Sequence, residues 1–265
     1  MAIFSSKQNQ NIYLNSQFIS GVQSLGVSYD TNIIPSLAIE DTGFNYLVND
    51  QNKAMINIEY IPSNVDPILA FTGQNIISGT FGYADKYLNF NSGYLTKYNI
   101  KTAIDNPIVC RADIEVYGRF AEQTGIISNN PINYNITPYD LCYTDITLNE
   151  ALTNRLLSFD MTISTNRIPQ YNIGEYYPTE VLINYPIKID FAFELDIDNY
   201  MMSNMRSFLL NQEIRSMQIN FKNYSTLTNV LSFNFNNIVK NNDSLNLSVS
   251  DNGKVSVSFS TYILN

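Results

Sequence analysis

Histidine and tryptophan are both absent from this chain of 265 residues, and cysteine occurs only twice. Without histidine the commonest general base and metal ligand is missing, which excludes Ser-His-Asp triads, Cys-His pairs and histidine zinc sites. Cys110 and Cys142 are too few and too far apart for a cysteine-only zinc site. They read as unrelated thiols, and an intracellular setting disfavours a disulfide between them. The lack of Trp removes the stacking platform that sugar-binding clefts commonly use. Charged residues reach only 15%, against about 25% in ordinary soluble domains. The net charge of −9 argues against gripping nucleic-acid phosphates, though not against a surface that DNA passes without sticking. No stretch approaches the roughly 18 apolar residues of a membrane span, and Met1 to Gln10 lacks the apolar run of a secretory signal. The expectation is a protein made and folded in the cytoplasm, with no membrane partner.

Asn, Ser and Tyr take the place of the missing charges. The 19 Tyr and 15 Phe suit broad subunit contacts, where aromatic residues are enriched, and equally suit the cores of β-sheets. Both readings stay open on composition.

Order along the chain is more informative, because one segment recurs. Ser24 to Ile39 aligns without a gap on Ser158 to Ile173, at an offset of 134, sharing Ser, Thr, Asn, Ile, Pro and Ile. The alternation is preserved as well. Leu25, Val27 and Tyr29 oppose Ser24, Gly26, Ser28 and Asp30, while Phe159, Met161 and Ile163 oppose Ser158, Asp160, Thr162 and Ser164. A period of two marks a half-buried strand, and a slip of one residue would exchange its faces. Further echoes place Ile56, Ile58 and Tyr60 on Ile189, Phe191 and Phe193 at an offset of 133, and Leu95, Tyr98 and Ile100 on Val230, Phe233 and Phe235 at 135.

The predicted class is therefore mainly β: two tandem, duplicated β-sandwich or barrel domains, each with one short flanking helix. Residues 1–20 read as an N-terminal arm, 21–120 as the first domain, 121–150 as an ordered linker rich in turn residues, and 151–265 as the second domain. Strands are expected at 22–30, 54–61, 76–83, 94–103 and 108–119 in the first copy, and at 187–195 and 216–222 in the second. Asp66 to Phe71 suits one or two helical turns, with Pro67 at the first helical position. Met201, Met205, Phe208 and Leu209 fall at helical spacing within Asn199 to Gln212. Near the end, Ser250-Asp-Asn-Gly253 between two alternating runs signals a hairpin.

Carboxylates are the acid-base groups left in number. Glu40/Asp41, Asp113/Glu115 and Asp190/Glu194/Asp196/Asp198 are the candidates for a paired site of the glycosidase kind. The alternate spacing of the last two groups instead places them on the polar face of a strand. Asp196-Ile-Asp198-Asn199 lacks the Gly and distal Glu of a calcium loop, and there is no Walker-type phosphate loop, GxGxxG or nucleophile elbow. No catalytic, cofactor or metal residue is assigned, and the chain does not read as an enzyme.

Phe18-Ile-Ser-Gly-Val-Gln-Ser-Leu-Gly-Val-Ser-Tyr29, then Pro35 to Gly43, then the strand Ile56-Asn-Ile-Glu-Tyr60 resemble the N-terminal region of tail tube proteins of tailed bacteriophages. The second copy departs from that opening, with Leu156-Leu157-Ser158 in its place. The resemblance implies that each copy is one tube domain and that six domains close a ring. A two-domain chain would then form a trimeric, pseudo-sixfold ring that stacks on others, contacts other tail proteins and conducts DNA without specific binding, in a virion tail assembled in the host cytoplasm. Ser24, Ser28, Asp30, Ser158, Asp160 and Thr162 are the candidates to line the lumen, where hydroxyls and carboxylates would repel phosphates. Leu25/Val27/Tyr29 and Phe159/Met161/Ile163 would pack inward. Two alternatives are another tail component (terminator, baseplate or distal tail ring) and a carbohydrate-binding β protein.

Overall fold

The computed structural model describes residues 12–30, 33–36, 46–49, 53–62, 66–73, 75–83, 86–103, 106–124, 144–148, 151–153, 156–197, 215–222, 229–246 and 253–264. Nineteen strands hold most of them. The first half holds β1 (Ile12–Leu14), β2 (Gln17–Phe18), β3 (Val22–Asp30), β4 (Ile33–Ser36), β5 (Tyr46–Asn49), β6 (Lys53–Tyr60), β7 (Ile77–Tyr83), β8 (Lys86–Ala103), β9 (Val109–Val116) and β10 (Ala121–Thr124). The second holds β11 (Thr144–Leu148), β12 (Ala151–Thr153), β13 (Leu156–Ser164), β14 (Arg167–Gln170), β15 (Glu180–Ile183), β16 (Ile187–Ile197), β17 (Arg215–Lys222), β18 (Asn229–Asn246) and β19 (Gly253–Ile263). The protein is mainly β, built around one large antiparallel sheet that is not closed.

The expected strands are all present, each within a few residues except that β8 begins well before residue 94. The short turn is present too: a 3-10 helix spans Pro67–Thr72, with Pro67 in its first turn and the Asp66 carboxyl accepting from Ile68 N–H as the cap. The expected helix at Asn199 to Gln212 lies outside the described residues. The terminal hairpin joins β18 to β19 in antiparallel register. Gly253 belongs to its second strand, opposite Ile197, rather than to the turn.

Residues 12–20 differ from the arm read in the sequence. Ile12 and Leu14 are buried, and β1 pairs with β7 of the same half. Asn15 and Ser16, both at positive φ (47° and 65°), make the tight two-residue turn into β2, a geometry that Asn tolerates well. Gly21 follows at φ 71°, where an added Cβ would lie 2.2 Å from the Ile61 carbonyl oxygen, so only glycine lets the chain pass into β3.

Strand order repeats between the halves. In the first, β3 pairs β6, β6 pairs β9, β9 pairs β8, β8 pairs β7, β7 pairs β1 and β1 pairs β2. In the second, β13 pairs β16, β16 pairs β19, β19 pairs β18, β18 pairs β17, β17 pairs β11 and β11 pairs β12. The small hairpins β4–β5 and β14–β15 also match, with Pro35 opposite Leu47 and Pro169 opposite Val181. Three irregularities coincide as well, while the shift at Phe221/Lys222 has no counterpart among the described residues of the first half. Register shifts at Val22/Ser24, Ile77/Gly79 and Leu95/Lys97 are matched at Leu156/Ser158, Arg215/Met217 and Lys240/Asn242.

This pairing corrects two offsets. Val27 faces Ile56 and Met161 faces Phe191, so Ile56 corresponds to Phe191 at 135, not to Ile189 at 133. Leu95 faces Ile114 as Lys240 faces Phe259, which places Leu95 on Lys240 at 145 rather than on Val230. A slip by an even number of residues, two in the first case and ten in the second, keeps side chains on their face, so the alternation had no power to reject either error.

The two halves meet in a strand ladder. Lys97 to Ala103 of β8 pair with Ser164 to Ser158 of β13, and Arg167 reinforces the seam by donating to the carbonyls of Leu95 (3.0 Å) and Gly73 (2.9 Å). The sheet also curls over itself. The Phe159 ring lies 6.0 Å from that of Phe221, although β13 and β17 are not paired, and Phe191 lies 4.7 Å from Phe235. Buried side chains from both halves form one continuous cluster, Ile12 to Phe259.

Candidate functional surface

Eight strands run side by side in the order β3, β6, β9, β8, β13, β16, β19, β18. Alternation gives this array an apolar and a polar face. In β9, Cys110, Ala112, Ile114 and Val116 are buried, while Arg111 is exposed and Asp113 and Glu115 are half-buried. In β13, Phe159, Met161 and Ile163 are buried, with Ser158, Asp160 and Thr162 half-buried. Ser24 and Ser28 are exposed on β3, whereas the side chain of Asp30 lies outside the described set. The six lumen candidates thus occupy two strands of one array, with β6, β9 and β8 between them. Glu40, Asp41 and Asp198 lie outside the described residues.

Cations stand among the carboxylates of this face: Glu59, Asp113, Glu115, Asp160, Asp190 and Glu194 share it with Lys53, Lys97, Lys101, Arg111, Lys188 and Lys254, and by register Asp30 and Asp196 fall on the same face. Lys53 pairs with Glu115 at 3.4 Å, Arg111 with Glu59 at 3.2 Å and Lys188 with Asp190 at 2.9 Å. Amides bridge two more: Asn57 donates to Asp113 (2.7 Å), and Asn99 donates to Asp160 (2.6 Å) and to the Thr162 hydroxyl (3.0 Å) across the seam. Such exposed pairs add little stability. Their effect is to offset part of the negative charge and leave the face hydrophilic. The cations escaped notice because they stand on different strands, far apart in sequence.

The apolar side of β3 also departs from expectation. Val22 and Leu25 pack partly against the core, but Val27 is 38% and Tyr29 53% exposed, where their counterparts Met161 and Ile163 are 0% and 6%. The difference has a simple source. β13 has neighbours on both sides, β16 and β8, whereas among the described residues β3 pairs only with β6.

The most concentrated chemistry is buried and inert. Asp66, 4% exposed, accepts from the Tyr60 hydroxyl (2.8 and 2.7 Å to its two oxygens), the Tyr98 hydroxyl (2.6 Å) and Ile68 N–H (3.0 Å). Tyr98 also lies 3.3 Å from the Cys110 sulfur. Burial first, then the neighbouring acidic groups, hold the two phenols and the thiol protonated well beyond their ordinary values of 10.0 and 9.0. A thiol kept neutral is a poor nucleophile, so this cluster braces the fold. Among the described residues no group of metal-ligating side chains converges.

The cluster sets a pH dependence. The unfolded chain releases these protons at about pH 9 to 10 while the folded chain holds them, so stability is complete below pH 9 and falls above it. Each group contributes up to about 1.4 kcal/mol per pH unit above its ordinary value. Urea midpoints at pH 7, 9 and 10.5 measure this, and a flat profile would contradict the assignment.

Among the described residues no helix is long and apolar enough to cross a membrane. No protein-family model matches the chain, and no curated protein matches its sequence.

Proposed function

We propose that the chain is a structural subunit that assembles with copies of itself, and that the assembly is the tail tube of a tailed bacteriophage: stacked rings around a lumen that conducts DNA. The observation that carries the reading is the repeated strand order, with coincident register shifts, in two halves already joined through a sheet seam. On this reading the halves are two tandem β-sandwich domains from a duplication, each with a short flanking helix. Three chains would then close a pseudo-sixfold ring.

Ser24, Ser28, Asp30, Ser158, Asp160 and Thr162 would line the lumen, together with the paired charges beside them. A hydroxyl- and amide-rich wall with no excess of cations over carboxylates suits DNA transit, because tight binding to phosphates needs an excess of Lys and Arg to displace counterions. The fold's mass of strands and the inert state of its buried cluster fit a structural role.

Electron microscopy of the purified protein across a concentration series tests the proposal. Hollow tubes or stacked rings are expected. Single rings that never stack would assign the chain to a terminator, baseplate or distal tail ring, and a persistent monomer would overturn the assembly reading.

A further inference from the structure

We infer that the chain associates head to tail through two specific strand edges, the outer edge of β3 and that of the second half of β18 on another copy. The inference rests on the self-assembly part of the reading above, but its register comes from the fold alone. Within one chain, β8 is the strand that meets β13. By pairing order, β13 corresponds to β3 and β8 to β18. The partner of β18 that would mirror β13 is therefore β3, and the described residues of the same chain do not supply it: among them β3 pairs only with β6, and Asn242 to Asn246 of β18 pair only with β19. Each chain thus carries one unused half of a junction at each end of its eight-strand array.

The internal seam dictates which residues meet. Asp160 faces Lys101, Met161 faces Ile100, Thr162 faces Asn99, Ile163 faces Tyr98 and Ser164 faces Lys97. Carried across by the strand equivalences, Gly26 faces Asn246, Val27 faces Leu245, Ser28 faces Ser244, Tyr29 faces Asp243 and Asp30 faces Asn242 of the next chain. Val27 opposite Leu245 reproduces the apolar pair Met161 and Ile100. The exposure of Val27 and Tyr29 has the same explanation, since their counterparts are covered by β8. An edge strand showing aliphatic and aromatic side chains is a template for another strand. Because the two edges differ, the contact is heterologous, and it closes a ring or extends without limit according to its rotation. A second copy is the occupant because only this chain carries the matching edge in the matching register.

The test is cysteine cross-linking in the full chain. Ser28→Cys together with Ser244→Cys, oxidised and run without reductant, is expected to give disulfide-linked multimers joined 28 to 244. The control Ser28→Cys with Asn246→Cys probes a two-residue slip on the same face and is expected to link poorly. Val27→Asp supplies an independent readout: its side chain is already partly in water in one chain, so circular dichroism should be unchanged while association weakens about tenfold or more. Linkage within one chain, linkage only in the slipped pair, or wild-type association of Val27→Asp would each overturn the inference. Tubes that assemble without a 28 to 244 link would overturn this seam and leave the tube reading standing. Multimers linked 28 to 244 that never stack would support the seam and count against the tube.

Discussion

Replacing Asp66 by Leu is expected to destabilise the protein by about 4 kcal/mol, measured by urea unfolding at pH 7. The carboxyl accepts from two buried phenols and one backbone N–H, and a buried donor left without a partner costs about 1–3 kcal/mol. Loss of the cap on Pro67–Thr72 adds about 1 kcal/mol. Asp66→Asn keeps an acceptor but turns an amide donor toward two hydroxyls, so an intermediate loss is expected. The decisive comparison is Asp66→Leu combined with Tyr60→Phe and Tyr98→Phe. Removing the stranded donors together with their acceptor should restore part of the stability. If the triple variant is less stable than Asp66→Leu alone, the network is not what the geometry implies.

Phe191→Ala is expected to cost about 3–5 kcal/mol, the usual range for emptying a packed aromatic site. Phe191 is 1% exposed and touches Phe235 across the curl of the sheet, so a cavity there cannot be filled by a small adjustment of one strand. Calorimetry makes the result more telling. Because one buried cluster runs from the first half through the seam into the second, a single transition should move to lower temperature. Two transitions, of which only one moves, would mean that the halves unfold independently despite the β8–β13 ladder.

Much of this architecture was legible in the residues because half-buried strands write a period of two. β3, β6, β9 and β13 could be read from their alternation, and their faces follow from it. The recurrence of Ser24 to Ile39 at Ser158 to Ile173 pointed at the repeat before any pairing was known. The alternation failed where it has no resolving power. It tolerated the two-residue error at Ile56, and it lost phase at Leu95/Lys97, where a register shift displaces everything that follows. The first part of β8 was missed because Asn89, Asn91, Ser92 and Gly93 interrupt its pattern just where it leaves β7 for β9. β1 and β2 were taken as an arm because strands of three and two residues are too short to show a period.

Side-chain convergence was not legible at all. Tyr60, Asp66, Tyr98 and Cys110 come from three strands and a cap, and nothing in their spacing announces that they meet. The second half holds Leu195, Asp243 and Val255 at the positions paired like Tyr60, Tyr98 and Cys110, so no echo flagged them. The same applies to the polar face. Its mixture of charges exists only once β6, β9, β8 and β16 lie side by side.

The ladder between β8 and β13 also bears on the kinetics of assembly. That junction forms within one polypeptide, so its strands meet at an effective concentration fixed by the chain connecting them and not by the amount of protein present. In a ring built as inferred above, every second junction is already made when the chain folds, and dilution acts only on the others. Subunits would then exchange as whole chains, never as half-chains, and the rate of ring formation would report on β3 and β18 alone.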